Sequence, residues 1–260
     1  MRNPFSKDKP TTSTPQASSQ NASLATPGSQ NFSKPPRVLV IGAGSRGTAY
    51  ARATRSSTNC PIVSVCEPLP YKRAEFGRRF IWGSNKPLPH QNFDSWRQWV
   101  SYEEERREKE KAGEVVEKGV DAVFVCVLDE MHEEVVCGIA HLGVAICCEK
   151  PLSTSLESCV KIWRALKGVH SNGGTSGVEG EMNGAVNENG VVERKEMVFA
   201  ICHVLRYSPY NMALRKLVLE KEIIGDVLSV EHVEPVGNWH FSHSYVRYAA
   251  CHGSHIIDRN

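Results

Sequence analysis

Apolar residues in this chain are grouped in continuous runs rather than at alternating positions. Four such runs stand out, at residues 38–41, 60–66, 122–127 and 144–148. Continuous runs of this kind are typical of parallel strands whose two faces are both covered. Helix-like segments separate the runs, and this alternation indicates the same arrangement. We therefore predict an α/β fold, a Rossmann-type doubly wound parallel sheet.

Helical patterns fill the spaces between these strands. We predict helices over residues 71–83, 102–119, 155–169 and 211–226. The second is highly charged, and neighbours of opposite sign at helical spacing indicate a solvated face. The third has a capping serine available, at Ser153 or Ser155. A loop is predicted before the charged helix, and it carries three aromatic residues, Phe93, Trp96 and Trp99.

Two polar segments interrupt the pattern. Residues 1–35 hold almost no aliphatic side chains and are predicted to form a disordered arm. Residues 171–196 are rich in Gly, Asn, Glu and Ser and are predicted to be a flexible insert. A strand is predicted to begin at MVFAIC after the insert, and residues 227–236 alternate like an open, antiparallel-type strand.

Composition narrows the choice of partners and compartment. The net charge is +2, from 31 basic and 29 acidic residues, so neither nucleic acid nor an anionic membrane is expected as a partner. No apolar stretch is long enough to span a bilayer. The nine cysteines lie mostly in apolar runs without metal-ligand spacing, so no metal site is predicted. Reduced, buried cysteines indicate a reducing compartment, and we predict a cytoplasmic protein.

The segment GAGSRG, residues 42–47, joins the first strand to a helix. In that context it predicts a dinucleotide-binding turn. Gly42 permits the tight turn, Gly44 lets a pyrophosphate approach the backbone, and Gly47 lets the helix pack on the strand. Ser45 lies at the helix N-terminus, whose N–H groups and dipole favour a diphosphate. The alternative is a glycine turn that binds nothing.

Glu67 ends the second strand, about 20 residues after the last glycine of the turn. An acid there can accept hydrogen bonds from the ribose hydroxyls, which favours NAD. Basic side chains lie nearby and can pair with a 2′-phosphate instead, namely Arg46, Lys72 and Arg73. The cofactor is therefore predicted to be NAD or NADP.

Polar residues follow two further strands at the same edge of the predicted sheet. Asp129 and His132 come after the strand predicted at 122–127, and Glu149 and Lys150 follow the one at 144–148. Open parallel sheets bind ligands at the carboxyl ends of their strands. Alternatively, His132 is a capping or packing residue, and Glu149 with Lys150 is an exposed ion pair of little energetic value. Spacing alone favours the ion pair.

The order of these motifs resembles the Gfo/Idh/MocA family, the glucose-fructose oxidoreductase and inositol 2-dehydrogenase type. GAGSRG, CEP, D-x-x-H and EKP follow one another as in that family. The resemblance continues through RYSPYNMALRKLVLEKEIIGDVLSVEH and GNWHFSHSYVR. It covers roughly residues 37–247 apart from the insert.

The resemblance implies a domain organisation and a reaction. A Rossmann domain at 36–154 would bind NAD or NADP, and an α+β domain at 155–260 would cover a small sugar- or polyol-like substrate. The family typically transfers hydride between a secondary alcohol and the nicotinamide. Lys150 would contact the nicotinamide ribose and the substrate hydroxyl. The substrate side would be shaped by Arg206, Trp239 and His240, and the full-length form is a possible homo-oligomer.

The resemblance also implies a proton-transfer histidine, for which His255 is the candidate. His255 and Asp258 fit the family's His-x-x-Asp pattern, but Cys251 stands where the family has an acid. Family members continue well past this motif, so we expect a C-terminally truncated chain with an incomplete α+β domain. A non-catalytic dinucleotide-binding or regulatory protein, or an inactive fragment, is the alternative to an oxidoreductase.

Overall fold

A computed structural model describes residues 31–168 and 197–233, together with two short strands between them. The first half contains three strands that alternate with three helices. In chain order these are β1 (Val38–Ile41), α1 (Ser45–Ser57), β2 (Ile62–Cys66), α2 (Pro70–Phe80), β3 (Asn92–Phe93) and α3 (Trp96–Lys111).

The second half continues the alternation through a fifth strand and a fifth helix. Its elements are β4 (Ala122–Val125), a 3₁₀ turn (Asp129–Met131), α4 (His132–Ala140), β5 (Ala145–Cys148), α5 (Leu156–Lys167), the short strands β6 (Ala185–Val186) and β7 (Val192–Glu193), β8 (Phe199–Ile201), a second 3₁₀ turn (Val204–Tyr207), and α6 (Pro209–Arg215), which a π-helical turn (Lys216–Glu220) extends.

Six of the described strands form one sheet in the order β3-β2-β1-β4-β5-β8, and all their pairings are parallel. The chain runs outward from β1 to β3 and then returns to add β4 on the other side of β1. This reversal opens a crevice at the carboxyl ends of β1 and β4, where doubly wound sheets bind ligands. The predicted fold class is thus confirmed. The pair β6 and β7 is a separate antiparallel ribbon.

Both faces of the sheet are covered, which explains the continuous apolar runs. Successive residues of β1 point to opposite faces. Val38 and Val40 pack with residues of α1 and α2, whereas Leu39 and Ile41 pack with α3, α4 and α5. The strands therefore need apolar side chains at every position.

Helix α3 differs from the prediction in three ways. It begins at Trp96 rather than at residue 102, and it includes Trp96 and Trp99, which were predicted to lie in a loop. The Ser95 hydroxyl caps this start by accepting a hydrogen bond from the Gln98 N–H at 3.2 Å. Its charged run is not simply a solvated face, because Glu103 and Arg106 are both buried. The helix also ends at Lys111, eight residues before the predicted end.

The strand predicted at MVFAIC is β8, and it joins the parallel sheet beside β5. The division into domains at 36–154 and 155–260 stays a prediction, but the sheet of the first includes this later strand. Residues 227–233 are not in a strand, contrary to the prediction. Residues 1–30 of the arm predicted at 1–35, residues 234–260 and, apart from its two short strands, the insert lie outside the described residues.

Candidate functional site

The glycine turn between β1 and α1 has the geometry of a cradle. Gly42 has φ +97°, and a Cβ there would lie 2.4 Å from the carbonyl oxygen of Cys126. A Cβ on Gly47 would lie 2.0 Å from the carbonyl oxygen of Gly42. At Gly44, by contrast, no described heavy atom lies within 4 Å of the added Cβ. Two glycines are thus required by the fold, while the third leaves open space.

The N-terminus of α1 faces this open space. Its N-cap is Gly44, so no side chain competes for the first N–H groups of the helix. No acidic residue stands in the first turn, and both Ser45 and Arg46 are exposed. Free N–H groups, the positive end of the helix dipole and a nearby guanidinium together suit a diphosphate. The residues present therefore fit a dinucleotide.

Glu67 lies next to the turn at the carboxyl end of β2. Its Oε2 accepts a hydrogen bond from the Ala43 N–H at 2.9 Å, and its Oε1 accepts one from the Leu69 N–H at 3.1 Å. The side chain is 7% exposed. Each carboxylate oxygen keeps a second lone pair, so a ribose hydroxyl can still be bound. The residue is placed as predicted, but it also locks the glycine turn.

The three basic residues near Glu67 are not equivalent. The guanidinium of Arg73 donates to the carbonyl of Glu67 and, at 2.9 Å, to the side-chain oxygen of Asn92. Arg73 is therefore held by protein acceptors. Arg46 and Lys72 are exposed.

His132 is fully buried at the start of α4. One ring nitrogen, Nδ1, lies 2.8 Å from the carbonyl oxygen of Pro151. The other, Nε2, is buried without a hydrogen-bond partner among the described residues. His132 thus ties α4 to the segment that follows Lys150, which matches the packing alternative. Its role toward a cofactor stays a prediction.

Glu149 and Lys150 are not an exposed ion pair. Glu149 is 6% exposed, and its carboxylate accepts hydrogen bonds from the Tyr50 hydroxyl and, at 3.0 Å, from the Lys150 N–H. Its own N–H donates to the carbonyl of Val125 at 2.9 Å. Lys150 is exposed and its charge acts on Asp129, whereas the neighbouring acid is buried. The sequence did not single out Tyr50.

Asp129 completes this edge of the crevice. Burial raises the pKa of its carboxyl group, while the neighbouring His132 and Lys150 act in the opposite direction. These electrostatic contacts place Asp129 beside the same group of residues. The sheet therefore brings Asp129, His132, Glu149 and Lys150 together, as the strand ends predicted.

The remaining predicted residues follow β8 or lie outside the described residues. Arg206 is exposed in the 3₁₀ turn that follows β8. Trp239, His240 and His255 fall among residues 234–260, which the structure does not describe. Within the described ranges, no cluster of three or more His, Cys, Asp or Glu side chains suits a metal ion. No helix in the same ranges has the length and apolar character needed to cross a bilayer.

A surface cavity of about 370 Å³ lies far from this edge, near residues 118–121 that precede β4. Its walls include Glu103, Arg106 and Arg107, whose charges are paired with one another. This position at the amino edge of the sheet is opposite to the crevice where open parallel sheets bind ligands.

The strand order, the glycine turn and the acid after β2 define a dinucleotide-binding Rossmann domain. A family model described as "Oxidoreductase family, NAD-binding Rossmann fold" matches residues 36–172, more than half of the chain. The chain therefore belongs to the GFO/IDH/MocA family of NAD-binding oxidoreductases, as the motif order predicted.

Individual relatives agree with this assignment. The rhizopine catabolism protein MocA of Rhizobium meliloti is 26% identical over 126 residues, which are 48% of this chain and 32% of that protein. Inositol 2-dehydrogenase 2 of Saccharopolyspora erythraea is 44% identical over 46 residues, 18% of this chain and 14% of the relative. The chain thus spans about a third or less of these curated relatives.

Solved structures share the fold at low identity. The myo-inositol 2-dehydrogenase of Lactobacillus plantarum matches 75% of this chain and 43% of its own, with 17% identity and a TM-score of 0.50. The scyllo-inositol dehydrogenase of Lactobacillus casei, solved with NAD(H) and scyllo-inositol, matches 74% and 43%, with 14% identity and a TM-score of 0.51.

Proposed function

We propose that this chain binds NAD(H) in the crevice between the glycine turn and the ends of β4 and β5, and that it acts on a polyol-like secondary alcohol. The observation that carries the proposal is the convergence of Lys150, Asp129 and the anchored Glu149 at the carboxyl edge of the sheet. The glycine turn, which fits a diphosphate, opens onto the same edge.

Each group at this edge has a separable task in the proposal. The N–H groups at the start of α1 hold the diphosphate, and Glu67 accepts from the ribose hydroxyls. Bound nicotinamide supplies the redox chemistry by exchanging a hydride with the substrate carbon. Lys150 orients the substrate hydroxyl and takes part in its proton transfer.

The buried side of the edge keeps Lys150 in position. The backbone N–H of Lys150 donates to Glu149, whose other oxygen is held by Tyr50 from α1. His132 contacts the carbonyl of Pro151, the residue after the lysine. Helices from both faces of the sheet therefore fix the segment that carries Lys150, and such support is what a positioned catalytic group needs.

Burial of Glu67 favours NAD over NADP in this proposal. A 2′-phosphate would bring negative charge against the Glu67 carboxylate, which is 7% exposed. The guanidinium of Arg73 already donates to the Glu67 carbonyl and to Asn92, so fewer of its donors are left for a phosphate. Arg46 and Lys72 would have to provide the compensation alone, from exposed positions where charge pairs contribute little.

Turnover of the full chain tests the proposal. NADH formation is followed by absorbance with NAD⁺ and either myo-inositol or scyllo-inositol, the polyols that the structural relatives' names suggest. Lys150→Ala should lower kcat by roughly 100-fold or more while NADH affinity changes much less. Lys86→Ala, at an exposed lysine between α2 and β3, is the matched control. Equal turnover of Lys150→Ala and wild type would refute the role of this lysine.

A second candidate is a protein that binds the dinucleotide without turnover. It is favoured by Cys251, which stands where the family resemblance leads us to expect an acid. Saturable NADH binding combined with no NADH formation from either polyol would support this candidate over the oxidoreductase.

A further inference from the structure

Two cysteine sulfur atoms meet where β5 and β8 end. The Sγ atoms of Cys147 and Cys202 are 3.1 Å apart, close enough for an S–H···S hydrogen bond. The backbone holds them in this position, because the Cys202 N–H donates to the carbonyl of Cys148 at 2.8 Å. Among the described cysteines, all of which are free thiols, this is the pair whose sulfur atoms are in hydrogen-bond contact.

The surroundings of the pair favour a thiolate on one of the two sulfurs. The S–H of Cys147 lowers the pKa of Cys202 to about 7, and the Tyr50 hydroxyl adds to this effect, while burial and the charge of Glu149 oppose it. The pKa of Cys147 is correspondingly raised, by the same hydrogen bond and by burial. Burial raises the pKa of Cys148, the neighbour of Cys147, to about 12. These effects favour a thiolate on Cys202 beside a protonated thiol on Cys147.

Access and distance both permit a reaction between them. Cys147 is partly exposed and Cys202 is 9% exposed, so an oxidant that reaches the pair has to be as small as hydrogen peroxide. A disulfide has its sulfur atoms about 2.05 Å apart, so the two would need to approach by only about 1 Å.

We infer that Cys147 and Cys202 form a redox-active thiol pair, with Cys202 as the thiolate that attacks a hydroperoxide and Cys147 as the thiol that resolves it. In the first step the Cys202 sulfur bonds to a peroxide oxygen, the O–O bond breaks, and the leaving hydroxide is protonated to water. In the second, the Cys147 sulfur attacks the Cys202 sulfenic acid and its proton leaves with the hydroxide as water. Overall, two thiols and one hydrogen peroxide give a disulfide and two waters.

The hydroxyl group of Tyr50 connects the cysteine pair to Glu149. The Tyr50 hydroxyl donates to Glu149 and also contacts Cys202, so the two acceptors compete for it. Once Cys202 is in a disulfide it no longer carries a thiolate charge, so the Tyr50 hydroxyl donates its hydrogen bond to Glu149 alone. This link to Lys150 rests on the proposed function, whereas formation of the disulfide does not.

Peptide mapping of the full chain tests the inference. Reduced protein is treated with one equivalent of hydrogen peroxide, remaining thiols are alkylated, and the digest is examined by mass spectrometry. We expect the peptide containing Cys202 to be joined to the one containing Cys147, and dithiothreitol to separate them. Cys148→Ala is the matched control and should keep the link. A link that involves Cys148 instead, or none at all, would overturn the inference.

A second variant separates the chemistry from a folding defect. Cys147→Ser removes the resolving thiol, so the Cys202 sulfenic acid should persist and be trapped by dimedone, which the wild-type chain should resist. The rate of the wild-type reaction with peroxide should rise with a midpoint near pH 7 rather than near the ordinary cysteine value of about 8.5. Absence of the dimedone adduct on Cys202 in a folded Cys147→Ser protein would contradict the assignment.

Discussion

Two alanine substitutions in the glycine turn should separate stability from binding. At Gly47 an added Cβ would lie 2.0 Å from the Gly42 carbonyl oxygen and 3.0 Å from a methyl carbon of Val40. Helix and turn would need to move apart by about 1 Å, and such overpacking costs about 1–3 kcal/mol. At Gly44 the Cβ meets no described heavy atom within 4 Å, and the backbone, at φ −74° and ψ −164°, is extended and open to alanine. The free energy of unfolding of Gly44→Ala should therefore differ from that of the wild type by less than about 1 kcal/mol.

The two variants should behave differently in the two assays. Urea denaturation should show the loss for Gly47→Ala and near wild-type stability for Gly44→Ala. Fluorescence titration with NADH should show at least a tenfold loss of affinity for Gly44→Ala, about 1.4 kcal/mol, because the methyl group occupies the space that a diphosphate needs. If Gly44→Ala bound NADH as tightly as the wild type, the diphosphate would not lie at this turn.

The remaining predictions concern stability. Tyr50→Phe removes a donor to the buried Glu149 carboxylate and should cost about 1–3 kcal/mol in urea denaturation, so an unchanged midpoint would show that the contact contributes nothing. Burial alone would raise the pKa of Glu103, but the hydrogen bonds from Arg106 and its neighbouring arginine outweigh it and lower the pKa. This contribution is complete above the ordinary value of 4.5 and is lost as pH falls through the lowered pKa, so Glu103→Gln should flatten the acid limb of a stability–pH curve; an equally steep limb would refute this. Ser155→Ala removes the cap of α5 and should cost about 1 kcal/mol, with Thr at this position retaining most of the stability.

The sheet was predictable because its strands are buried on both faces. Continuous apolar runs specify such strands without reference to distant residues, and the order of strand, glycine turn and acid then specifies the fold. The charged face of α3 was misjudged because sequence spacing does not show which charges are covered. Glu103 is buried among charges that satisfy one another, and only the packed structure places residues 117–121 over Arg106.

The position of the candidate site could be predicted from the sequence, but the long-range side-chain contacts around it could not. Strand ends placed Asp129, Glu149 and Lys150 at one edge, since parallel strands share their carboxyl side. Tyr50 was missed because its partner Glu149 is 99 residues away and no local pattern links them. The contact between Cys147 and Cys202 was missed for the same reason, since it depends on β8 pairing beside β5 across the insert.

Calorimetric titration of the full chain with NADH and NADPH tests the central claim most directly. The open space at the glycine turn and the buried Glu67 carboxylate predict saturable binding of NADH, at least tenfold tighter than that of NADPH. Absence of binding by both dinucleotides up to millimolar concentration would contradict the account.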